Sequence, residues 1–241
     1  MAIADKLTQI ANNVPLVYDA GYQKGIAEGG DNPIYYASRF DNTFGGVVFP
    51  ENYDFVLRVK KAPIIASYMF NNCNYAPKTI TLISDEEQTS AVEFTSAFNV
   101  SASSAIPKIL EKVDISQYCR KIKITVSPNN MFSNQYNLKQ IIGALDMSNV
   151  TATLNMFNQC RSLTDIEFVP NTIPVTFTIQ YSTLLSKVSL QSIINGLSST
   201  VTGQTVTLSL TAVNNAFDGG RDGTEWQALI ATKPNWNIAY A

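Results

Sequence analysis

Histidine is missing altogether from the 241 residues. Its absence excludes every imidazole-based triad or dyad, the ordinary general base near neutral pH and most catalytic zinc sites. Charge is scarce as well. Only 15% of residues are charged, against about 25% in ordinary domains, so the polar surface is mostly Asn, Ser, Thr and Gln. A net charge of −2 and a pI near 5.2 leave no electrostatic footprint for nucleic acid or anionic lipid. Cysteine occurs three times, as Cys73, Cys119 and Cys160. An odd number with no close pair points away from a disulfide framework and from a zinc site, and leaves Cys119 no imidazole to activate it. No glycine-rich loop is followed by the Lys-Ser/Thr of a phosphate cradle. Long apolar runs are lacking too, and the first residues show no basic region followed by an apolar stretch, so neither membrane insertion nor a signal peptide is expected.

What is present is a phrase written twice. Met131-Phe132 is followed by Leu138 and Ile141, and Met156-Phe157 by Leu163 and Ile166, with the apolar residues at Phe, Phe+6 and Phe+9 in both. Weaker copies start at Met69-Phe70, with Cys73 matching Cys160, and at Phe98, which runs to Ile106 and Ile109. A last copy starts at Ile179, with Leu185 and Val188. Starts near 70, 98, 132, 157 and 179 give a unit of 20-odd to 30-odd residues, the range of stacked repeats. The expected repeat core is therefore Phe70, Cys73, Phe98, Phe132, Leu138, Ile141, Phe157, Cys160, Leu163, Ile166, Ile179, Leu185 and Val188. Cys73 and Cys160 fall three residues after the repeat phenylalanine, where a buried small thiol fits better than a redox or metal role.

Along the chain, Ile3, Leu7, Ile10, Val14, Val17 and Gly21 are spaced 4, 3, 4, 3, 4, a heptad seam interrupted by Pro15. Two readings stay open, an oligomerisation seam favouring trimers and a broken amphipathic helix lying on its own domain. Gly25, Gly29 and Gly30 then form a hinge. Phe55, Leu57 and Val59 alternate with polar residues as a half-buried strand, within a portion that would cover the open end of the stack. Thr79 to Ile83, Ile122 to Val126, Ile166 to Phe168 and Thr176 to Ile179 read as one strand per unit. After them, Leu190, Ile193, Ile194 and Leu197 mark a helix capped by Ser189. Thr205 to Leu210 reads as a strand, Trp226, Leu229 and Ile230 as a short helix capped by Thr224 and ended by Pro234, and Trp236 to Tyr240 as a closing strand. The fold expected is α+β: an N-terminal helical segment (1–30), an irregular repeat solenoid (31–188) and a small α/β C-terminal cap (189–241).

Leu145-Asp146-Met147-Ser148-Asn149-Val150-Thr151 and Met156-Phe157-Asn158-Gln159-Cys160-Arg161-Ser162-Leu163-Thr164-Asp165-Ile166 resemble the BspA-type leucine-rich repeat of bacterial surface and bacteriophage proteins. Residues 4–15, with their Asp19-Ala20-Gly21-Tyr22 continuation, and residues 189–241 resemble proteins encoded in phage and prophage tail regions of gut bacteria. The resemblance implies a leucine-rich-repeat-like stack in a non-enzymatic virion component of the tail or a tail appendage. It would be a homo-oligomer, bound to other virion proteins through its N-terminal segment and facing a host glycan or protein. A virion part is assembled in the cytoplasm and needs no export signal, which sets this reading ahead of a secreted adhesin with the same repeats.

Chemistry-bearing side chains are few. Asp146, Asp165, Glu167 and the Asp85-Glu86-Glu87 cluster supply carboxylates that could pair for glycoside cleavage. Asp146 more simply organises its own turn, and the cluster a solvated loop. Asp218 to Glu225 holds three glycines and three carboxylates, but not at the spacing of a twelve-residue calcium loop. Tyr75 and Tyr136, at Phe+5 and Phe+4, are candidates for one aromatic binding face, with packing at the edge of the stack as the alternative. No cofactor is expected.

Overall fold

The computed structural model describes residues 35–36, 54–62, 65–71, 77–99, 109–119, 121–124, 130–152 and 155–241. The heptad seam Ile3, Leu7, Ile10, Val14 and Val17, together with Cys73, Tyr75 and Ile106, lies outside them.

Three sheets, all of parallel strands, combine with three α-helices among the described residues. The first sheet contains β1 (Tyr35–Tyr36), β2 (Asp54–Lys61), β3 (Thr79–Glu86), β5 (Lys112–Gln117) and β7 (Gln140–Ile142), side by side in that order. The second contains β4 (Val92–Glu93), β6 (Lys121–Ile124) and β8 (Asp146–Val150), again in chain order. From β3 onward, strands of the first sheet thus alternate along the chain with strands of the second. Parallel neighbours that are not consecutive in sequence require the chain to come round before it can pair again. Each circuit here is one strand of the first sheet, one of the second, and a tight turn carrying a repeat phenylalanine. Register ties Phe55 to Ile80, Ile80 to Val113 and Val113 to Ile141. Ile80, Val113 and Ile141 are buried, and Phe55 packs partly buried against the same core.

The turns stack as well as the strands. The N–H of Phe70 donates to Ala97 O (2.6 Å), that of Phe98 to Met131 O (2.8 Å) and that of Phe132 to Met156 O (2.9 Å). Each of these three phenylalanines therefore bonds the residue just before the next one. Their rings follow. Phe70 and Phe98 stack at 5.7 Å between centroids, Phe98 and Phe132 at 5.2 Å, and Phe132 and Phe157 at 5.7 Å, with interplanar angles of 12°, 3° and 14°. Offset stacking at such spacings contributes about 0.5–1.5 kcal/mol per pair beyond burial. Edge-on rings end the column, Phe55 against Phe70 and Phe177 against Phe157.

The Phe+3 position has its own task. Gln135 Nε2 donates to Phe98 O (2.5 Å) and the Cys160 thiol to Phe132 O (3.1 Å), so in these two circuits a side chain satisfies a carbonyl of the one before. Of the expected core residues, Phe70, Phe98, Phe132, Leu138, Ile141, Phe157, Cys160, Leu163, Ile166, Ile179 and Leu185 are buried. Val188 is not. It is 63% exposed, because the chain has by then entered a helix and the repeat offset no longer predicts the inward side.

That helix, α1 (Lys187–Gly196), buries Leu190, Ile193 and Ile194. Its cap is Ser186, whose Oγ accepts from Ser189 N–H, rather than Ser189. Ser189 is engaged elsewhere: its Oγ accepts from Ile166 N–H (3.0 Å) and donates to Thr164 O (3.0 Å). Ser192 Oγ likewise accepts from Phe168 N–H at 2.8 Å. The strand expected over Ile166 to Phe168 is reduced to single bridges, Gln140 to Asp165 and Leu145 to Phe168. A helix cannot continue a strand ladder, so its serine hydroxyls meet the backbone groups that the next strand would have taken.

Beyond α1 the third sheet forms from β9 (Phe177–Thr178), β10 (Gln204–Leu208) and β11 (Trp236–Tyr240), with β10 in the middle. Leu210 does not extend β10. It opens α2 (Leu210–Ala216), capped by Ser209 Oγ accepting from Ala212 N–H. In α3 (Thr224–Ile230), Gly223 occupies the cap position expected of Thr224. Trp226 is buried there against Phe217 at 4.9 Å, and its Nε1–H donates to Tyr240 Oη at 2.8 Å. Asp85 and Glu86 belong to β3 instead of a loop, since that strand runs past its buried part and pairs Lys61 with Glu86.

Candidate functional site

At the last two repeat turns the Phe+4 side carries an aromatic and a cationic side chain standing together. Tyr136 follows Phe132 by four residues and Arg161 follows Phe157 by four. Stacking the two phenylalanines brings these side chains together, with the Arg161 guanidinium carbon 5.5 Å from the centre of the Tyr136 ring. A guanidinium over an aromatic face is attracted by the ring quadrupole, by about 0.5–1 kcal/mol at an exposed site. Arg161 Nε–H also donates to Gln159 Oε1 (2.8 Å). Gln159 holds a left-handed φ of 62°, which turns the chain sharply just there.

On its other side Arg161 borders a depression of about 550 Å³ shared with Gln180, Tyr181, Thr183, Ser209, Thr211 and Ala241. Thus the end of the repeat circuits and the loops flanking the third sheet build it jointly. Tyr181 is 38% exposed. Ser182, beside it, donates through Oγ to Cys160 O (2.9 Å), which pins this loop to the preceding circuit. No carboxylate side chain lines the hollow, and no ion pair involves Arg161 among the described residues. A cation, an amide, hydroxyls and an exposed ring thus face one hollow. Of this surface the sequence singled out Tyr136 and offered Tyr181 among the tyrosines that could form a binding face or pack at the edge of the stack; Arg161 was missed. A usable signal existed, because Phe+4 places Tyr136 and Arg161 on the same file.

No protein-family model, curated protein or solved structure matches this chain.

Asp165, Asp146, Glu225 and Asp222 are engaged by their neighbours. Asp165 Oδ2 accepts from Gln140 Nε2 (3.1 Å) and Thr164 Oγ1 (2.8 Å), and with Glu167 it is exposed on the outside of the circuits. Asp146 Oδ1 accepts from the N–H and Oγ of Ser148 at 3.0 and 2.6 Å, and Asp114 does the same with Ser116 in the first sheet. Such local side-chain to backbone bonds organise the backbone. In the Asp218 to Glu225 segment, Glu225 pairs with Lys187 at 2.6 Å and Asp222 with Arg221 at 3.5 Å. Among the described residues no three His, Cys, Asp or Glu side chains converge as a metal would need. Burial pushes the Cys119 thiol up to about 12 and Cys160 still higher, so neither supplies a thiolate near neutral pH. No helix of the described residues is long and apolar enough to cross a membrane.

One buried charge is structural. Lys233 is 7% exposed. Its Nζ donates to Asn171 Oδ1 (2.7 Å), Asn195 O (3.2 Å) and Leu197 O (2.5 Å). It therefore sits at the C-terminal end of α1, where free carbonyls and the helix dipole favour a cation. Loss of hydration lowers its pKa from the ordinary lysine value.

Proposed function

We propose that this chain is a non-enzymatic structural protein of a bacteriophage virion, part of the tail or of a tail appendage. In this reading the parallel circuits are an irregular, leucine-rich-repeat-like solenoid of the BspA type. Residues 1–30 join it to other virion proteins or to copies of itself, residues 189–241 seal its end, and its turn edge is displayed to a host glycan or protein. The observation that carries the reading is the column Phe70, Phe98, Phe132 and Phe157, bonded from backbone to backbone through each turn. Such a column turns a sequence repeat into a rigid, extended surface, which suits attachment and assembly better than turnover. The repeat phrases around Asp146 and Phe157 add the phage and surface-protein context by resemblance. Immunogold electron microscopy of intact particles, with light scattering of the purified chain, tests the proposal. Label on tails and an oligomer in solution are expected. Particles without the protein, or a monomer that turns over a glycan, would overturn it.

A further inference from the structure

We infer that the depression between Arg161 and Tyr181 is a saccharide site selective for a sugar ring that carries a carboxylate. The inference deepens the display reading by naming the ligand class of that edge, and it rests on that edge being a binding surface.

A pyranose needs a flat apolar face to lie against, and hydrogen-bonding groups around its rim. Tyr181 offers an exposed ring at the border of the hollow. Gln180 supplies both an amide donor and an acceptor, and Thr183 and Thr211 supply hydroxyls, which meet sugar hydroxyls in either sense. Those groups alone would accept a neutral sugar. Arg161 adds the selectivity. Its Nε is engaged by Gln159 and its plane is held over Tyr136, so the guanidinium is positioned before any ligand arrives. Its terminal nitrogens present the paired N–H geometry that matches a carboxylate. No Asp or Glu side chain lines the hollow, Ala241 O there accepts from Leu210 N–H (3.0 Å), and Arg161 makes no ion pair among the described residues. Open, shallow sites of this kind bind weakly as single units, and repetition in an oligomer multiplies the effect.

The test is a titration of the full-length isotope-labelled chain with methyl glucuronide and, separately, with methyl glucoside, followed by NMR. The inference expects the uronide to shift the Arg161 side-chain signals and the amides of Tyr181, Thr183 and Thr211, and to bind at least about tenfold more tightly than the neutral sugar. Arg161→Met removes that preference, and Arg161→Lys restores part of it. Arg161 is exposed, so both variants stay folded with a melting temperature lowered by no more than about 2–4 °C, which separates lost binding from lost fold. Equal binding of the two sugars, no shifts with either, or full uronide binding by Arg161→Met overturns the inference. The experiment uses no virion. A protein absent from particles that still prefers the uronide therefore sinks the virion assignment alone, and one present in particles without the preference sinks this inference alone.

Discussion

The circuits up to Phe168 and the unit from Asn171 to Ala241 solve the same problem by different means. Both must satisfy parallel strand ladders and close a hydrophobic core. The circuits do so by repetition: a phenylalanine lies on a phenylalanine, and a Phe+3 side chain reaches back to the preceding carbonyl. The later unit uses single, unlike devices. Serines of α1 stand in for a strand, a lysine closes the end of that helix, and Trp226 is tied to Tyr240. Repetition spreads stability over neighbours of equal weight, whereas single devices concentrate it. The lesson is that damage should propagate differently in the two regions.

The largest effect is expected at the centre of the column. Phe132 is fully buried and stacks on both Phe98 and Phe157. Phe132→Ala should cost about 3–5 kcal/mol, since removing a buried ring leaves a cavity that its neighbours fill only in part. Urea denaturation gives the size and hydrogen exchange the place. The amides of the circuits on both sides should lose protection, while those of α3 keep most of theirs. A loss below 1 kcal/mol, on the order of an exposed substitution, would show that the column is incidental to the stack.

Lys233→Met probes the opposite arrangement. It leaves the carbonyls of Asn195 and Leu197 and the Asn171 amide oxygen without their donor. Hydrogen bonds to charged groups contribute about 1.5–3 kcal/mol, so a loss of about 2–3 kcal/mol is expected once the relief of a buried charge is set against them. The exchange signature should be confined to residues 171–173 and 195–198. If Phe132 circuits lose protection equally, the two regions are one cooperative unit and the contrast fails. Ser189→Ala lies at the boundary. It strands the N–H of Ile166 and should cost about 1–2 kcal/mol, read at that amide first.

How far the sequence showed all this follows the same divide. The Phe, Phe+6 and Phe+9 positions were legible because burial repeats at a fixed offset. Leu190, Ile193 and Ile194 were legible because a helix repeats too. Val188 was misplaced by carrying the first offset into the second element, and α2 was missed because Val206, Leu208 and Leu210 keep a strand's alternation while Ser209 silently caps a helix. Lys233 was invisible for a stronger reason. Its partners lie 36 to 62 residues away and share no period with it. The depression joins Arg161 to Tyr181 and Thr211 in the same non-periodic way, so Tyr136 and Tyr181 were within reach as separate rings but their meeting with Arg161 was not.

The smallest effect per unit of perturbation comes from alkali, and its sign differs between the regions. Cys119 and Cys160 keep their protons when folded, the first to about 12, because burial disfavours the thiolate. Above a pH of about 9 the unfolded chain releases protons that the folded circuits retain, so stability falls, on the order of 1 kcal/mol per pH unit for each thiol. Tyr118, also raised by burial, joins them above its ordinary value of 10.0. Lys233 acts the other way. Its folded pKa lies below 10.5, so in the window under that value the unfolded chain holds the extra proton, and rising pH adds stability. Denaturation curves across the alkaline range should therefore flatten in the Cys119→Ala, Cys160→Ala double variant and steepen in Lys233→Met. Unchanged slopes in the double variant would mean that the thiols ionise alike in both states, and that the circuits are open to water where the column of rings should exclude it.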